Sequence, residues 1–153
     1  MNIQLALPQP NETVPYDLLL MADPDQQKID TYLRQGQLYL AKTAEDELVG
    51  ACVVQEIAPK QWEILNIAVS QHYHNQGIGQ QIMAQVVAQA RLMQIQQLWV
   101  ATANSSIGQL AFYQKCGFEM QAIVHNFFVE YYPEPIIENG IVAKHQVRLL
   151  MNL

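Results

Sequence analysis

The residues best suited to chemistry lie in one run, Ile67-Ala68-Val69-Ser70-Gln71-His72-Tyr73-His74-Asn75-Gln76-Gly77-Ile78-Gly79-Gln80-Gln81. A β-branched, apolar segment passes through a polar loop and two glycines into a helix. The first N–H groups of a helix have no intrahelical partner, and the helix dipole favours negative charge beside them. Glycines at 77 and 79 allow close approach of backbone to ligand, where a Cβ would hold phosphate away. Residues 75 to 80 therefore read either as a phosphate-binding turn or as a glycine-eased turn without a ligand, since a lone Gly-x-Gly does not separate the two. A Walker A loop would need Gly-Lys-Ser/Thr, which is absent. A nicotinamide-binding fingerprint would need a third small residue where Ile82 stands, and an acid about 20 positions on.

The elements that must hold this turn follow from periodicity. Ile3–Leu7 alternates as an edge strand, and Tyr16–Met21 and Asp25–Gln35 read as short helices, the second opened by Asp23-Pro24 and closed by Gly36. Gln37–Thr43 and Leu48–Ile57 form a hairpin around Ala44-Glu45-Asp46-Glu47, and Trp62–Val69 is the strand entering the turn. From Gly77, the residues Ile78, Ile82, Met83, Val86, Val87, Ala90 and Met93 recur at helical spacing. Gln80, Gln81, Gln85 and Gln89 lie between them as the expected solvated face. Leu98–Ala103 is a strand, Ser106–Lys115 a helix with Gly117 suited to a left-handed cap, Met120–Tyr132 a strand, and Lys144–Met151 the last strand. Strands paired by hairpins, then strands alternating with helices, predict an α/β or α+β sheet with helices packed on it.

At 153 residues the chain reads as a single domain, 1–153, able to bury about two-thirds of its unfolded surface. Half the residues are hydrophobic and the net charge is −6, with no Lys/Arg cluster, which argues against a nucleic-acid partner. No apolar run approaches the roughly 20 residues of a membrane span, and Met1-Asn2-Ile3-Gln4-Leu5 lacks the marks of a signal peptide, so a cytoplasmic location is expected. Cys52 and Cys116 have no metal or redox spacing, and His72 and His74 have no third ligand, so no metal is expected.

The loop His74-Asn75-Gln76-Gly77-Ile78-Gly79, after Leu65-Asn66-Ile67-Ala68-Val69, resembles the acetyl-CoA signature of the GCN5-related N-acetyltransferases, the GNAT superfamily. That pattern is Gln/Arg-x-x-Gly-x-Gly/Ala at the start of a long helix; here the first position is His74. Val100-Ala101-Thr102-Ala103-Asn104-Ser105-Ser106, followed by Ala111-Phe112-Tyr113-Gln114-Lys115-Cys116-Gly117-Phe118, looks like the family's next strand, helix and terminal motif. The likeness covers roughly residues 45–125. Residues 126–141 are similar to a tail of some uncharacterised bacterial members.

The resemblance implies a central mixed, mostly antiparallel, twisted sheet of about seven strands, splayed between the fourth and fifth, with about four helices. It implies an acetyl-CoA-dependent N-acetyltransferase that moves an acetyl group to a primary amine of a small molecule or peptide by direct attack. A CoA-binding sensor module without catalysis is the alternative. Acetyl-CoA is the expected cosubstrate, contacted by Ile67, Ala68, Val69, His74, Asn75, Gln76, Gly77, Ile78, Gly79, Gln80, Asn104 and Tyr113. Tyr113 is the expected general acid toward the CoA thiolate. Glu63 is the first candidate for the base and Glu130, placed late in the strand after Phe118, the second. A backbone N–H near Val69 is the candidate oxyanion donor. Acceptor pockets would come from Val14–Gly36 and Tyr131–Ile141, where Glu134 and Glu138 favour a cation. A homodimer is expected if the C-terminal strand pairs across a two-fold axis.

Overall fold

In the computed structural model, which describes residues 1–153, the chain starts with a short strand, β1 (Gln4–Ala6). Two short helices follow, α1 (Tyr16–Ala22) and α2 (Gln26–Gln35). The Asp25 carboxylate caps α2 by accepting from the N–H groups of Gln27 and Lys28 at 3.0 and 3.3 Å. Such a cap satisfies two of the helix's orphan donors and is worth about 1 kcal/mol. Strands β2 (Gln37–Lys42), β3 (Leu48–Ala58) and β4 (Gln61–Val69) come next, then a 3-10 turn (Gln71–Tyr73) and the long helix α3 (Ile78–Leu92). All of these lie in the first of two units, Met1–Gln96.

Strands β1 to β4 pair in sequence order, each antiparallel to the next. Helices α1 and α2 cover one face, where Leu18, Leu19 and Ile29 pack with Leu38, Leu40, Ala51, Val53 and Ala68. Helix α3 covers the other, and a Cβ on Gly50 would stand only 2.7 Å from Ile82 Cδ1. Each buried Leu or Ile contributes about 1.5–3 kcal/mol through removal of apolar surface from water.

The glutamine stripe of α3 departs from the expected solvated face. Gln81 Oε1 accepts from the Ile3 N–H at 3.0 Å while its Nε2 donates to the Met1 carbonyl at 2.7 Å. Gln85 repeats the arrangement one turn later, with the Leu5 N–H at 2.7 Å and the Ile3 carbonyl at 2.8 Å. Four helical residues rise about 6 Å, close to the advance of two extended residues, so the two carboxamides match successive peptide groups of the segment 1–5 that leads into β1. They occupy edge groups of that segment that would otherwise need water or another strand.

The second unit, Gln97–Leu153, contains β5 (Gln97–Ala103), α4 (Ile107–Lys115), β6 (Glu119–Val124), α5 (Phe127–Tyr131), a small hairpin of β7 (Ile137–Glu138) and β8 (Ile141–Val142), and β9 (Gln146–Asn152). Strand β9 pairs antiparallel with both β5 and β6. The expected strand Met120–Tyr132 is therefore corrected: it ends at Val124, and α5 follows. Asn126 turns the chain with φ +59°, and its N–H donates to His145 Nδ1 at 3.0 Å. The helices number five, in keeping with the expected count of about four. No helix is long and apolar enough to cross a membrane.

Candidate functional site

The phosphate-type turn is built by its own side chains. Strand β4 ends when the Ser70 N–H reaches the Val49 carbonyl at 2.8 Å, and the Tyr73 N–H closes the 3-10 turn on the Ser70 carbonyl. Tyr73 bonds through its hydroxyl to the Glu47 carboxylate, which raises the phenol above its ordinary range and ties the turn to the β2–β3 hairpin. His74 Nε2 lies 2.7 Å from the Val69 carbonyl, and Gln76 Nε2 donates to the His72 carbonyl at 3.2 Å. A carbonyl can only accept, so Nε2 of His74 carries a proton in either charge state. The two side chains thus brace the loop from within.

Asn75 and Gly77 then adopt the left-handed region, at φ +61° and +77°. Gly77 is the N-cap of α3, with no side-chain cap, and its carbonyl accepts the Gln81 N–H. The N–H groups of residues 76 to 80 find no acceptor within the chain. Those donors at the positive end of a 15-residue helix form a cradle for an anion. The expected role of Gly77 needs one amendment. Within the protein a Cβ there would meet only Gln80 Oε1, at 3.8 Å, and the positive φ is a second reason for glycine beside the expected close approach of a ligand.

In the second unit, Tyr113 sits at the end of α4 within a Schellman motif. The Phe118 N–H donates to the Tyr113 carbonyl and the Gly117 N–H to the Gln114 carbonyl, both at 3.0 Å, with Gly117 at φ +107°. The Tyr113 ring is 6% exposed and packs against Phe112 and Phe118, at centroid distances of 5.5 and 5.9 Å. The Tyr-Gln-Lys-Cys-Gly-Phe ending is thus a helix stop that fixes the tyrosine.

Asn104 has structural partners that the sequence did not reveal. Its Oδ1 accepts from the Lys144 and His145 N–H groups, at 2.8 and 3.0 Å, and its Nδ2 donates to the Val142 carbonyl at 3.2 Å. Ser105 and Ser106 donate to Glu138 Oε1 at 3.3 and 3.0 Å, fastening the β7–β8 hairpin to the start of α4. Glu138 is therefore occupied by hydroxyls. Glu63 lies opposite Gln55 in the β3–β4 ladder and shares its sheet face. Glu130 is corrected: it is an exposed residue of α5 and belongs to no strand. Strand β5 carries no carboxylate.

A family model described as "Acetyltransferase (GNAT) family" matches residues 5–118. The chain belongs to the GNAT acetyltransferases. The N-acetyltransferase YvbK of Bacillus subtilis (strain 168) is 44% identical over 138 residues, 90% of this chain and 88% of the relative. A GNAT family acetyltransferase from Elizabethkingia anophelis, solved with acetyl-CoA bound, is 44% identical with a TM-score of 0.94, covering 99% of both chains. A Bacillus subtilis acetyltransferase in complex with CoA is 41% identical with a TM-score of 0.92, again over 99% of both. The α/β fold of this GNAT chain, with four strands in one unit and three in the other, is thus the fold of its relatives.

Sequence reasoning passed over Asn66, Tyr32 and Asp23. Asn66 is 3% exposed, and its Nδ2 donates to the Leu19 carbonyl at 2.9 Å and to the Tyr32 hydroxyl at 2.8 Å. Tyr32 in turn faces Asp23 Oδ2 at 3.5 Å, and burial pushes the Asp23 carboxyl above its ordinary value. The available signal was one carboxamide inside the apolar run Ile64-Leu65-Asn66-Ile67-Ala68-Val69.

Proposed function

We propose that this GNAT enzyme uses acetyl-CoA and transfers the acetyl group to a primary amine of a small molecule or peptide by direct attack. The observation that carries the reading is the cradle of unpartnered N–H groups at residues 76 to 80, chemically matched to the diphosphate of CoA. Binding of acetyl-CoA and CoA by the two relatives described above supports the same cosubstrate here. Ile67, Ala68 and Val69 are assigned to the pantetheine arm, whose amides pair with main chain as a strand would. His74 and Gln76 shape the cradle, and Asn75, Gly77, Ile78, Gly79 and Gln80 supply backbone to it.

In the proposed reaction, the amine lone pair forms a bond to the thioester carbonyl carbon, and the C–S bond then breaks. Tyr113 gives its phenolic proton to the departing thiolate; with ordinary pKa values near 10 and 8.5, the two groups exchange a proton at small cost. The surplus proton on nitrogen passes to Glu63, directly or through water. An alkylammonium with a pKa of about 10.4 is neutral roughly once in 10^3.4 at pH 7, a penalty near 4.6 kcal/mol that a nearby carboxylate reduces.

The test pairs calorimetry of acetyl-CoA binding with a CoA-release assay over polyamines, aminoglycosides, amino acids and peptides. Binding together with turnover of at least one amine is expected. Binding with no acceptor consumed would reassign the chain as a CoA-sensing module. Tyr113→Phe should lower kcat with little change in acetyl-CoA affinity; unchanged kcat removes Tyr113 from the mechanism.

A further inference from the structure

Strict alternation along β4 would place Asn66 on the same face as Ile64, under α3. The β3–β4 register runs Val54↔Ile64 and then Val53↔Asn66, leaving Leu65 as an extra residue. This bulge reverses the parity of the strand. Asn66 then shares a face with its partner Val53 and with Ala68, the face covered by α1 and α2. A single inserted residue has turned a carboxamide into an apolar layer.

Once there, its orientation is fixed. The Leu19 carbonyl can only accept, so the nitrogen of the carboxamide must face it; it already accepts the Asp23 N–H as well. The Tyr32 hydroxyl accepts from the same nitrogen and turns its own proton toward Asp23 Oδ2. The remaining atom, Asn66 Oδ1, is fully buried and has no hydrogen-bond partner; no other buried side-chain nitrogen or oxygen is in that position. A leucine would fill the site without that cost, so an oriented but unpaired acceptor points to a ligand that donates.

We propose that Asn66 Oδ1 receives an N–H of the acceptor amine, and that Tyr32 and Asp23 are positioning residues that present it. The inference rests on the acetyltransferase reading and names the group that recognises its acceptor. Because Oδ1 is closed to solvent, the amine reaches it only when the groups covering it move. Recognition requires a donor proton on nitrogen, not positive charge alone.

The experiment uses the full 15N-labelled chain with its acetyl-CoA site titrated by calorimetry. The Asn66 side-chain signals are identified by their loss in Asn66→Asp. Addition of n-propylammonium should shift that pair saturably, whereas tetramethylammonium, which has the charge without an N–H, should leave it unmoved. Equal shifts from both ions, or none from either, overturn the proposal. So does a crystal structure in which water holds Oδ1 and stays there when n-propylammonium is added. In turnover assays with amines the enzyme accepts, Asn66→Ala should raise the amine KM about tenfold or more, the loss of one hydrogen bond to the amine, and Tyr32→Phe should raise it in the same direction by freeing the carboxamide to turn. Acetyl-CoA affinity should stay within about twofold. A parallel fall in cosubstrate affinity and melting temperature would make the residues merely structural and overturn the proposal; Tyr32→Phe decides this if Asn66→Ala fails to fold. If calorimetry is flat while the n-propylammonium shift persists, the acetyltransferase reading falls and the amine site stands.

Discussion

Replacing Gly77 separates two explanations of the phosphate turn. Gly77 has φ +77°, and an added Cβ would find only Gln80 Oε1 at 3.8 Å. Space is therefore available in the free protein, and the cost of a side chain is conformational. For an L-residue the left-handed region costs about 1–2 kcal/mol; asparagine tolerates it better, and β-branched residues fare worst. If that strain moves the turn out of its binding geometry, the competent fraction falls and apparent acetyl-CoA affinity drops by roughly 5- to 30-fold. The expected order of affinity is Gly, then Asn, then Ala, then Val, with Asn within a few fold of the native chain. Calorimetric titration of the four proteins, with circular dichroism to confirm folding, measures it. If Gly77→Asn loses as much as Gly77→Val, bulk at the phosphates matters and the conformational argument fails. If all four bind alike, the turn does not hold the diphosphate.

Gln85→Leu removes the two bonds to Leu5 and Ile3, at 2.7 and 2.8 Å, and should lower unfolding free energy by about 2 kcal/mol in urea denaturation; an unchanged midpoint would mean β1 is held without them. Gln94 ends α3 at φ +60°, with the Ile95 N–H on the Ala90 carbonyl and its own N–H on that of Arg91, so Gln94→Gly should stabilise by about 1 kcal/mol on relief of left-handed strain. Cys52 is fully buried and its thiol is pushed up to about 12, leaving about one molecule in 10^4 as thiolate at pH 8. A thiol reagent should therefore label at most Cys116 in the native protein and both cysteines after denaturation; fast native labelling at Cys52 would contradict this burial.

What could be read in advance was what short segments decide. Gly117 after an apolar period specifies a left-handed cap through local backbone geometry and occurs where its chemistry requires, whereas the opening of α2 expected at Asp23-Pro24 lies at Asp25, because Asp23 ends α1. The helix in Met120–Tyr132 could not be read that way. Residues 120 to 132 contain apolar and β-branched types that suit a strand, and the break comes from a distant partner, His145, accepting the Asn126 N–H. Gln81 and Gln85 failed for the same reason. Periodicity reports which residues avoid the core, but not whether a neighbouring strand edge needs their hydrogen bonds. Asn66 was the hardest case, because a bulge leaves no composition signal and yet reverses the faces of a strand.

The histidine at the first position of the loop signature illustrates how main chain and side chain divide the work. If that side chain bound phosphate, His74 in place of glutamine or arginine would alter the ligand chemistry. The structure gives it another task, closing the loop on the Val69 carbonyl at 2.7 Å. Glutamine, arginine and histidine have little in common in charge or shape, but each ends in an N–H that a carbonyl can accept. A glutamine or arginine of suitable reach would therefore have a donor for the same bond that His74 makes here. In the proposed reading, diphosphate binding falls to the five N–H groups of residues 76 to 80, which no side-chain substitution removes except proline. Their direction depends on the braces at His74 and Gln76 and on the left-handed pair Asn75 and Gly77. A donor at 74 and a left-handed residue at 77 are thus the two features by which this loop sets the direction of those N–H groups.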